Sequence, residues 1–341
     1  MPKYLRLDVL NEIIHIGIIP VFYHADFEVA KKIVTACAEG GARVIEFTNR
    51  GDNAYRVFSD LVSYFSRVNP SIVIGAGSVL DEATAGLYIS SGANFIVGPV
   101  LNPELARICN RRKVVYCPGC GSISEISQAE ELGVEIVKVF PGDSVGGPNF
   151  VKAILGPMPW SRIMLTGGVD ATKESITAWF NSGVAAVGIG SNLIRKEWVQ
   201  TENYEAISDL TAKVIDWGRS ARGLNIFTGI EHTGFSTKQG CSLNEVAEWY
   251  RAVFGFQIYE CTSSIFVKGD KPGQLEVSLA EDGSQTHVAV SVSNFEMALE
   301  ELHDRGIELE EPLYSPDTKI VFLKQTDPNG IRVHLVWRLH R

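Results

Sequence analysis

The chain reads as an α/β protein, a (β/α)8 TIM barrel followed by a smaller α+β domain. Three observations carry this. Eight strand-like apolar runs recur every 18–25 residues up to about residue 193. Helical patterns of apolar spacing lie between them. After about residue 222 the rhythm changes to short, alternating strands. The expected domains are 1–222 and 223–341.

The eight runs cover 18–23, 43–49, 72–77, 95–100, 114–119, 135–141, 162–168 and 185–191. Most are near-continuous apolar stretches, as in parallel strands covered on both faces. Residues 27–39 place apolar side chains at 29, 30, 33, 34, 37 and 38, one face of a helix. Residues 54–68 and 81–91 read likewise, and Asn102-Pro103 and Asp170-Ala171 are helix-start signals. Eight strand–helix units in about 220 residues suit a barrel; a doubly wound open sheet is the alternative. Beyond the join at 221–225, the pattern is strand 226–235, helix 243–254 and strands 256–261, 264–268 and 274–279. Strand 286–292, helix 294–305 and strands 319–325 and 331–337 follow. That is βαβββ twice, the second copy abbreviated.

Composition narrows the function classes. The 341 residues are 45% hydrophobic and 21% charged, ordinary for a globular protein. A net charge of −9 lacks the basic footprint of a nucleic-acid binder. No apolar run reaches the roughly 18 residues of a membrane span. Asp8 and Glu12 interrupt the start where a signal peptide would be apolar. Six cysteines suit a reducing compartment, so a cytoplasmic location is expected. Cys117-Pro118-Gly119-Cys120 ends a strand and has no second C-x-x-C. It reads as a tight turn more readily than as a redox or zinc site.

Lys138 stands in an apolar strand, Glu135-Ile136-Val137-Lys138-Val139-Phe140. Burial lowers a lysine pKa, giving the free amine that an imine-forming nucleophile needs. A snorkelling lysine at a strand edge is the alternative. Glu46 lies within Val44-Ile45-Glu46-Phe47, either as a paired structural carboxylate or as an acid–base group facing the same interior. Arg50 closes that strand at the end where barrel active sites lie, and could clamp a carboxylate. Glycine-rich turns follow the third, seventh and eighth strands: Gly75–Ser78, Thr166-Gly167-Gly168 and Gly188–Ser191. The last two fall where barrels bind phosphate.

Residues 5–220 resemble the 2-keto-3-deoxy-6-phosphogluconate (KDPG) aldolase family, which includes 4-hydroxy-2-oxoglutarate (KHG) aldolases. The resemblance rests on Gly40-Gly41-Ala42-Arg43-Val44-Ile45-Glu46, Gly75-Ala76-Gly77-Ser78-Val79, Lys138-Val139-Phe140-Pro141, Thr166-Gly167-Gly168-Val169 and Gly188–Ser191, in family order. It implies a trimeric class I aldolase that needs no cofactor and cleaves a 2-keto-3-deoxy sugar acid to pyruvate and an aldehyde. Lys138 would form the imine and Glu46 would move protons. Arg50 and Thr166 would hold the carboxylate, and Gly167, Gly168, Gly190 and Ser191 the phosphate. The sequence departs from the family at Tyr23, Asn49, Gly51, Gly98-Pro99-Val100 and Gly121. These changes fall at the mouth of the barrel and bear on the aldehyde half of the substrate.

In the second domain His232, His287 and His334 fall in strands, and Glu276 in another. Each histidine alone would more often be structural; together with a carboxylate they are good ligands for a divalent metal. Residues 227–338 resemble the glyoxalase/bleomycin-resistance, or vicinal oxygen chelate, superfamily. The matching segments are Ile230-Glu231-His232, Gln274–Val277, Thr286–Val290 and Asp327-Pro328-Asn329-Gly330. The resemblance implies metal ligands at His232, Glu276, His287 and His334, the last usually glutamate. Two other readings stay open. A metal-dependent isomerase, lyase or dioxygenase could define a protein whose barrel has diverged, or the second domain could be a non-catalytic ligand-binding or oligomerisation module. The expected partners are small molecules and further copies of the chain, as a trimer or larger.

Overall fold

The computed structural model describes residues 3–237, 240–261, 264–269, 273–279, 286–315 and 317–338. The outer ends of the two expected domains, 1–2 and 339–341, lie outside the described residues. The chain divides into two compact units, parting between Leu224 and Asn225.

The first unit carries β1 (Ile18–Phe22), β2 (Val44–Thr48), β3 (Val73–Gly77), β4 (Phe95–Val97), β5 (Val115–Cys117), β6 (Gly119–Cys120), β7 (Val137–Val139), β8 (Ile163–Thr166) and β9 (Ala186–Ile189). Its helices are α1 (Arg6–Ile16), α2 (Phe27–Glu39), α3 (Ala54–Val68), α4 (Glu82–Ser90), α5 (Pro103–Arg112), α6 (Ile123–Glu131), α7 (Gly147–Leu155), α8 (Lys173–Phe180), α9 (Lys196–Gln200) and α10 (Tyr204–Ala221). The strands run parallel in the order β5-β4-β3-β2-β1-β9-β8-β7-β6. The nine strands are the expected eight. β5 and β6 are one stretch parted at Pro118, which has no N–H to give to a ladder. One half pairs with β4 and the other with β7, so the ring is nearly closed.

Side chains of the strands and of the helices around them form one large buried core, in which Phe47 packs against Phe22 and against Phe58 of α3. Local chemistry sets the helix starts. Asp26, Asp81, Asn102, Ser122 and Thr172 each accept from a backbone N–H of the first turn. The Asn102-Pro103 signal is realised, with Pro103 in the first turn. The start expected at 170–171 falls slightly later, because Thr172 is the residue that caps. Helix α1 precedes the first strand and lies against β1, β2, β5 and β9; the pattern reading did not include it. Gly17, left-handed at φ 69°, turns the chain from α1 into β1. No helix among the described residues is long and apolar enough to cross a membrane.

The second unit is one eight-stranded sheet. Its elements are β10 (Phe227–Ser236), α11 (Leu243–Phe254), β11 (Gln257–Glu260), β12 (Ser264–Lys268), β13 (Gln274–Ser278), β14 (His287–Val292), α12 (Phe295–Asp304), β15 (Leu313–Ser315), β16 (Thr318–Phe322) and β17 (Arg332–Arg338). The order is β11-β12-β13-β10-β14-β17-β16-β15. β10 pairs parallel with β13, β14 pairs parallel with β17, and β10 and β14 meet antiparallel. The unit is therefore two equivalent βαβββ halves related about the β10–β14 seam. The expectation of an abbreviated second half is corrected: β15 completes it. That strand is three exposed residues, too short for an alternating pattern to announce it. Each half has its own small core, under α11 and under α12.

Candidate functional site

Glu46 is the middle residue of β2 and Lys138 the middle residue of β7. Both are buried, at 2% and 5% exposure. Burial pushes the Glu46 carboxyl up, against the opposing pull of Lys138 and Arg50. Burial likewise drives the Lys138 amine down, against the pull of Glu46. An amine with a lowered pKa and a carboxyl with a raised one thus share the barrel interior. The Lys138 ammonium stands 4.6 Å from the centroid of the Phe140 ring. Glu46 fits because residue 77 is glycine: a side chain there would run into its carboxylate.

Above this pair opens a cavity of about 650 Å3 at the C-terminal ends of the strands. Arg50, Thr166, Gly167, Gly168, Gly190 and Ser191 all line it. Phe140 lines it too and connects it to Lys138. Thr166 Oγ1 is buried and has no hydrogen-bond partner among the described residues, a donor left over at the cavity wall. Gly167 and Gly168 adopt φ 88° and 76°, which glycine alone takes readily. A side chain at 168 would also strike Asp143. The cavity lining includes no carboxylate, while Arg50, Lys196 and His24 supply basic groups. An anionic ligand suits such a lining.

Ser78 is placed by the sequence at the end of the Gly75–Ser78 turn, with no role of its own. It holds a left-handed backbone at φ 58°, unusual for a residue with a side chain. Its Oγ accepts from Arg50 Nε at 3.4 Å, so it steadies the guanidinium. Its place after the Gly75–Gly77 run was the only available signal; the backbone conformation was not legible. The C-x-x-C pair is two buried thiols, both pushed up by burial, Cys117 furthest and Cys120 to about 12.

In the second unit, Gly234 stands opposite Glu276 on one side and His287 on the other. His232 is two residues away on the same face of β10. Ala289 stands between His232 and His334. The pairing therefore puts all four predicted ligands on one face of the sheet. Gly234 is small because the His287 ring crosses over it.

Three of the four converge. Glu276 Oε2 lies 3.0 Å from His232 Nε2 and 3.1 Å from His287 Nε2. The two imidazole nitrogens are 3.3 Å apart. Their donor atoms all lie within 4.8 Å of one another, a spacing that could hold a metal ion. His334 lies outside that group, although its ring centroid is 5.3 Å from that of His232 and 5.2 Å from that of His287. It is buried, and among the described residues neither ring nitrogen is hydrogen-bonded. Burial, then the neighbouring imidazoles, pull its pKa down to about 4. Burial pushes Glu276 up, but the hydrogen bonds from His232 and His287 outweigh it and hold the carboxyl low. Glu231, held by Arg338 at 2.6 Å, places its second oxygen 3.3 Å from His232 Nδ1; among the described residues neither of those two atoms has a hydrogen-bond partner.

Comparison with known proteins places the barrel. The family model described as "KDPG and KHG aldolase" matches residues 9–210. The 2-dehydro-3-deoxy-phosphogluconate aldolase of Haemophilus influenzae is 30% identical over 215 residues, 63% of this chain and 98% of that protein. The KHG/KDPG aldolase of Escherichia coli K12 is 27% identical, covering 58% of this chain and 91% of its own length. Among solved structures, the KDPG aldolase of Legionella pneumophila, with pyruvate captured as a covalent carbinolamine, is 29% identical. Its TM-score is 0.54, over 58% of this chain and 93% of that one. The Zymomonas mobilis ZM4 enzyme, solved with 3-phosphoglycerate, is 25% identical with a TM-score of 0.55, over 64% and 99%. Through residues 9–210 this chain belongs to the KDPG and KHG aldolase family, and it is a class I carbon–carbon lyase.

Proposed function

We propose that the barrel cleaves a 2-keto-3-deoxy sugar acid, with 2-keto-3-deoxy-6-phosphogluconate or 4-hydroxy-2-oxoglutarate as the leading substrates, and that Lys138 is its nucleophile. The observation that carries this is the buried pair Lys138 and Glu46 beneath a cavity lined by Arg50 and two glycine turns. The free amine of Lys138 adds to the keto carbon, and loss of water gives a protonated imine. Glu46, acting directly or through one water, takes the proton from the C4 hydroxyl. The C3–C4 bond breaks, its electron pair flows into the imine as an enamine, and the aldehyde departs. Glu46 returns a proton to C3, and water releases pyruvate and the amine. Arg50 and Thr166 hold the substrate carboxylate; Thr166 Oγ1 gains there the partner that it lacks. Gly167, Gly168, Gly190 and Ser191 offer backbone N–H groups to a phosphate or second carboxylate.

The test is intact mass after incubation with pyruvate and borohydride. Wild type gains one reduced pyruvyl group and Lys138→Ala gains none. An adduct retained by Lys138→Ala would remove the assignment. The six free cysteines, four of them buried, support a reducing compartment such as the cytoplasm. The family resemblance supports a homo-oligomer, a trimer or larger.

The second unit supports a reading of its own: a vicinal oxygen chelate domain that binds a divalent cation through His232, Glu276 and His287, with His334 as a fourth donor. The converging donor atoms and the unpartnered His334 ring fit such an ion. A bound divalent cation would act as a Lewis acid toward an oxygen ligand. The chain's own contribution is to hold Glu276 ionised between two imidazoles and to keep the Glu231 carboxylate beside His232. Metal analysis of purified protein, with His287→Ala alongside, tests it. One divalent ion per chain, absent from the variant, is expected. A metal-free wild type that also fails to take up added zinc would favour a ligand-binding or oligomerisation module.

A further inference from the structure

We propose that Tyr23 is a specificity-determining residue that reads the hydroxyl next to the carbonyl of the aldehyde partner, and that Gly51 keeps the space in which it does so. The proposal rests on the aldolase reading of the barrel.

Strand order fixes where Tyr23 stands. It is the first residue beyond β1, and β1 lies between β2 and β9. The β2 side brings Glu46 and Arg50; the β9 side brings Gly190 and Ser191. A side chain at the end of β1 therefore sits between the imine-and-carboxylate end of the cavity and its far anion cradle. Tyr23 does line that cavity. In a sugar acid spanning both ends, the carbons in between carry hydroxyl groups. A phenol can donate to, or accept from, such a hydroxyl and carries no charge to compete with Arg50.

The surroundings hold the phenol in that position. The Tyr23 ring tilts against Phe47, centroids 5.7 Å apart. Among the described residues its hydroxyl has no hydrogen-bond partner. The hydroxyl lies where a side chain at 51 would begin. Gly51 does not have a left-handed backbone, so its conformation does not demand glycine. What a larger residue there would meet first is the Tyr23 hydroxyl. The two positions are fitted to each other.

The test runs the reaction as condensation, pyruvate with glyceraldehyde or with propanal, which lacks the neighbouring hydroxyl. For Tyr23→Phe, kcat/KM with glyceraldehyde falls about three- to tenfold relative to propanal, the weight of one hydrogen bond. The loss shows mainly in KM for the aldehyde. Gly51→Ala pushes the phenol aside and lowers the same ratio. Added to Tyr23→Ala, the same substitution changes the ratio no further. A ratio unmoved by Tyr23→Phe, or a Gly51→Ala effect of equal size with and without Tyr23, overturns the proposal. Borohydride trapping of wild type with pyruvate separates the two levels. A trapped adduct with an unmoved ratio removes the role of Tyr23 alone, whereas no adduct removes the aldolase reading beneath it.

Discussion

A lysine amine surrounded by apolar strand residues answers to the few charges that reach it. Burial lowers the Lys138 pKa; Glu46 raises it and Arg50 lowers it further. Imine formation needs the unprotonated amine, so the rate of pyruvate trapping should rise with pH and level off below the ordinary lysine range near 10.4. Glu46→Gln removes the charge that favours the ammonium, so the profile moves to lower pH. Arg50→Gln removes a charge that disfavours it, so the profile moves to higher pH. Trapping rates across pH for the three proteins check both signs, and shifts in the same direction would contradict them. The carboxylate also depends on a neighbour without a side chain. Gly77→Ala forces Glu46 out of place, so turnover should fall about a hundredfold or more, the usual weight of general acid–base catalysis. Lys138 and Glu46 were legible because an ionisable residue in an apolar run stands out, and Arg50 because it follows a strand at the end where barrel active sites lie. Ser78 was not: its role depends on a backbone angle and an angled approach to Arg50, neither of which leaves a pattern in residue type.

At the scale of elements, legibility followed length and covering. Strands buried on both faces announce themselves as apolar runs, and α11, with Ser242 and Glu245 closing a reciprocal cap, begins and ends where its pattern does. β15 has three exposed residues and no periodicity to read. The parting of β5 from β6 reflects a hydrogen-bond gap at one proline, not a change in hydrophobicity. The loops after β8 and β9 are read by their glycines, and that reading has a consequence. Gly168→Ala must strain a positive φ and displace Asp143. On the proposed reading, in which this backbone cradle binds the remote end, the aldol reaction of a phosphorylated substrate should show KM raised about tenfold with kcat much less affected. Steady-state kinetics separate the two constants; an unchanged KM would place the phosphate elsewhere. The cap of α11 has the milder consequence. Ser242→Ala should cost roughly 1 kcal/mol of the second unit's stability, measurable by denaturant unfolding.

In the molecule as a whole, each unit closes its own hydrophobic cores and carries its own cluster of ionisable groups. The βαβββ repeat was visible because two copies of one pattern recur, and the His and Glu positions because each falls in a strand-like run and in a segment that resembles the superfamily; the register that aligns them came from the structure. The convergence of three donors and the exclusion of the fourth from that group needed side-chain geometry. Two self-contained units predict separable responses. A divalent ion present at a hundredfold its Kd adds about 2.7 kcal/mol to the state that binds it. In a unit of roughly a hundred residues that raises the melting temperature by roughly 10 °C or somewhat more. Calorimetry with and without zinc should therefore show one transition moving upward while the other stays fixed. Lys138→Ala should leave the mobile transition in place, and His287→Ala should abolish the shift while pyruvate trapping in the barrel persists. A chelator that abolished trapping along with the shift would show that the barrel chemistry depends on the second unit's ion. It would also overturn the assignment of the imine step to Lys138 and its barrel neighbours alone.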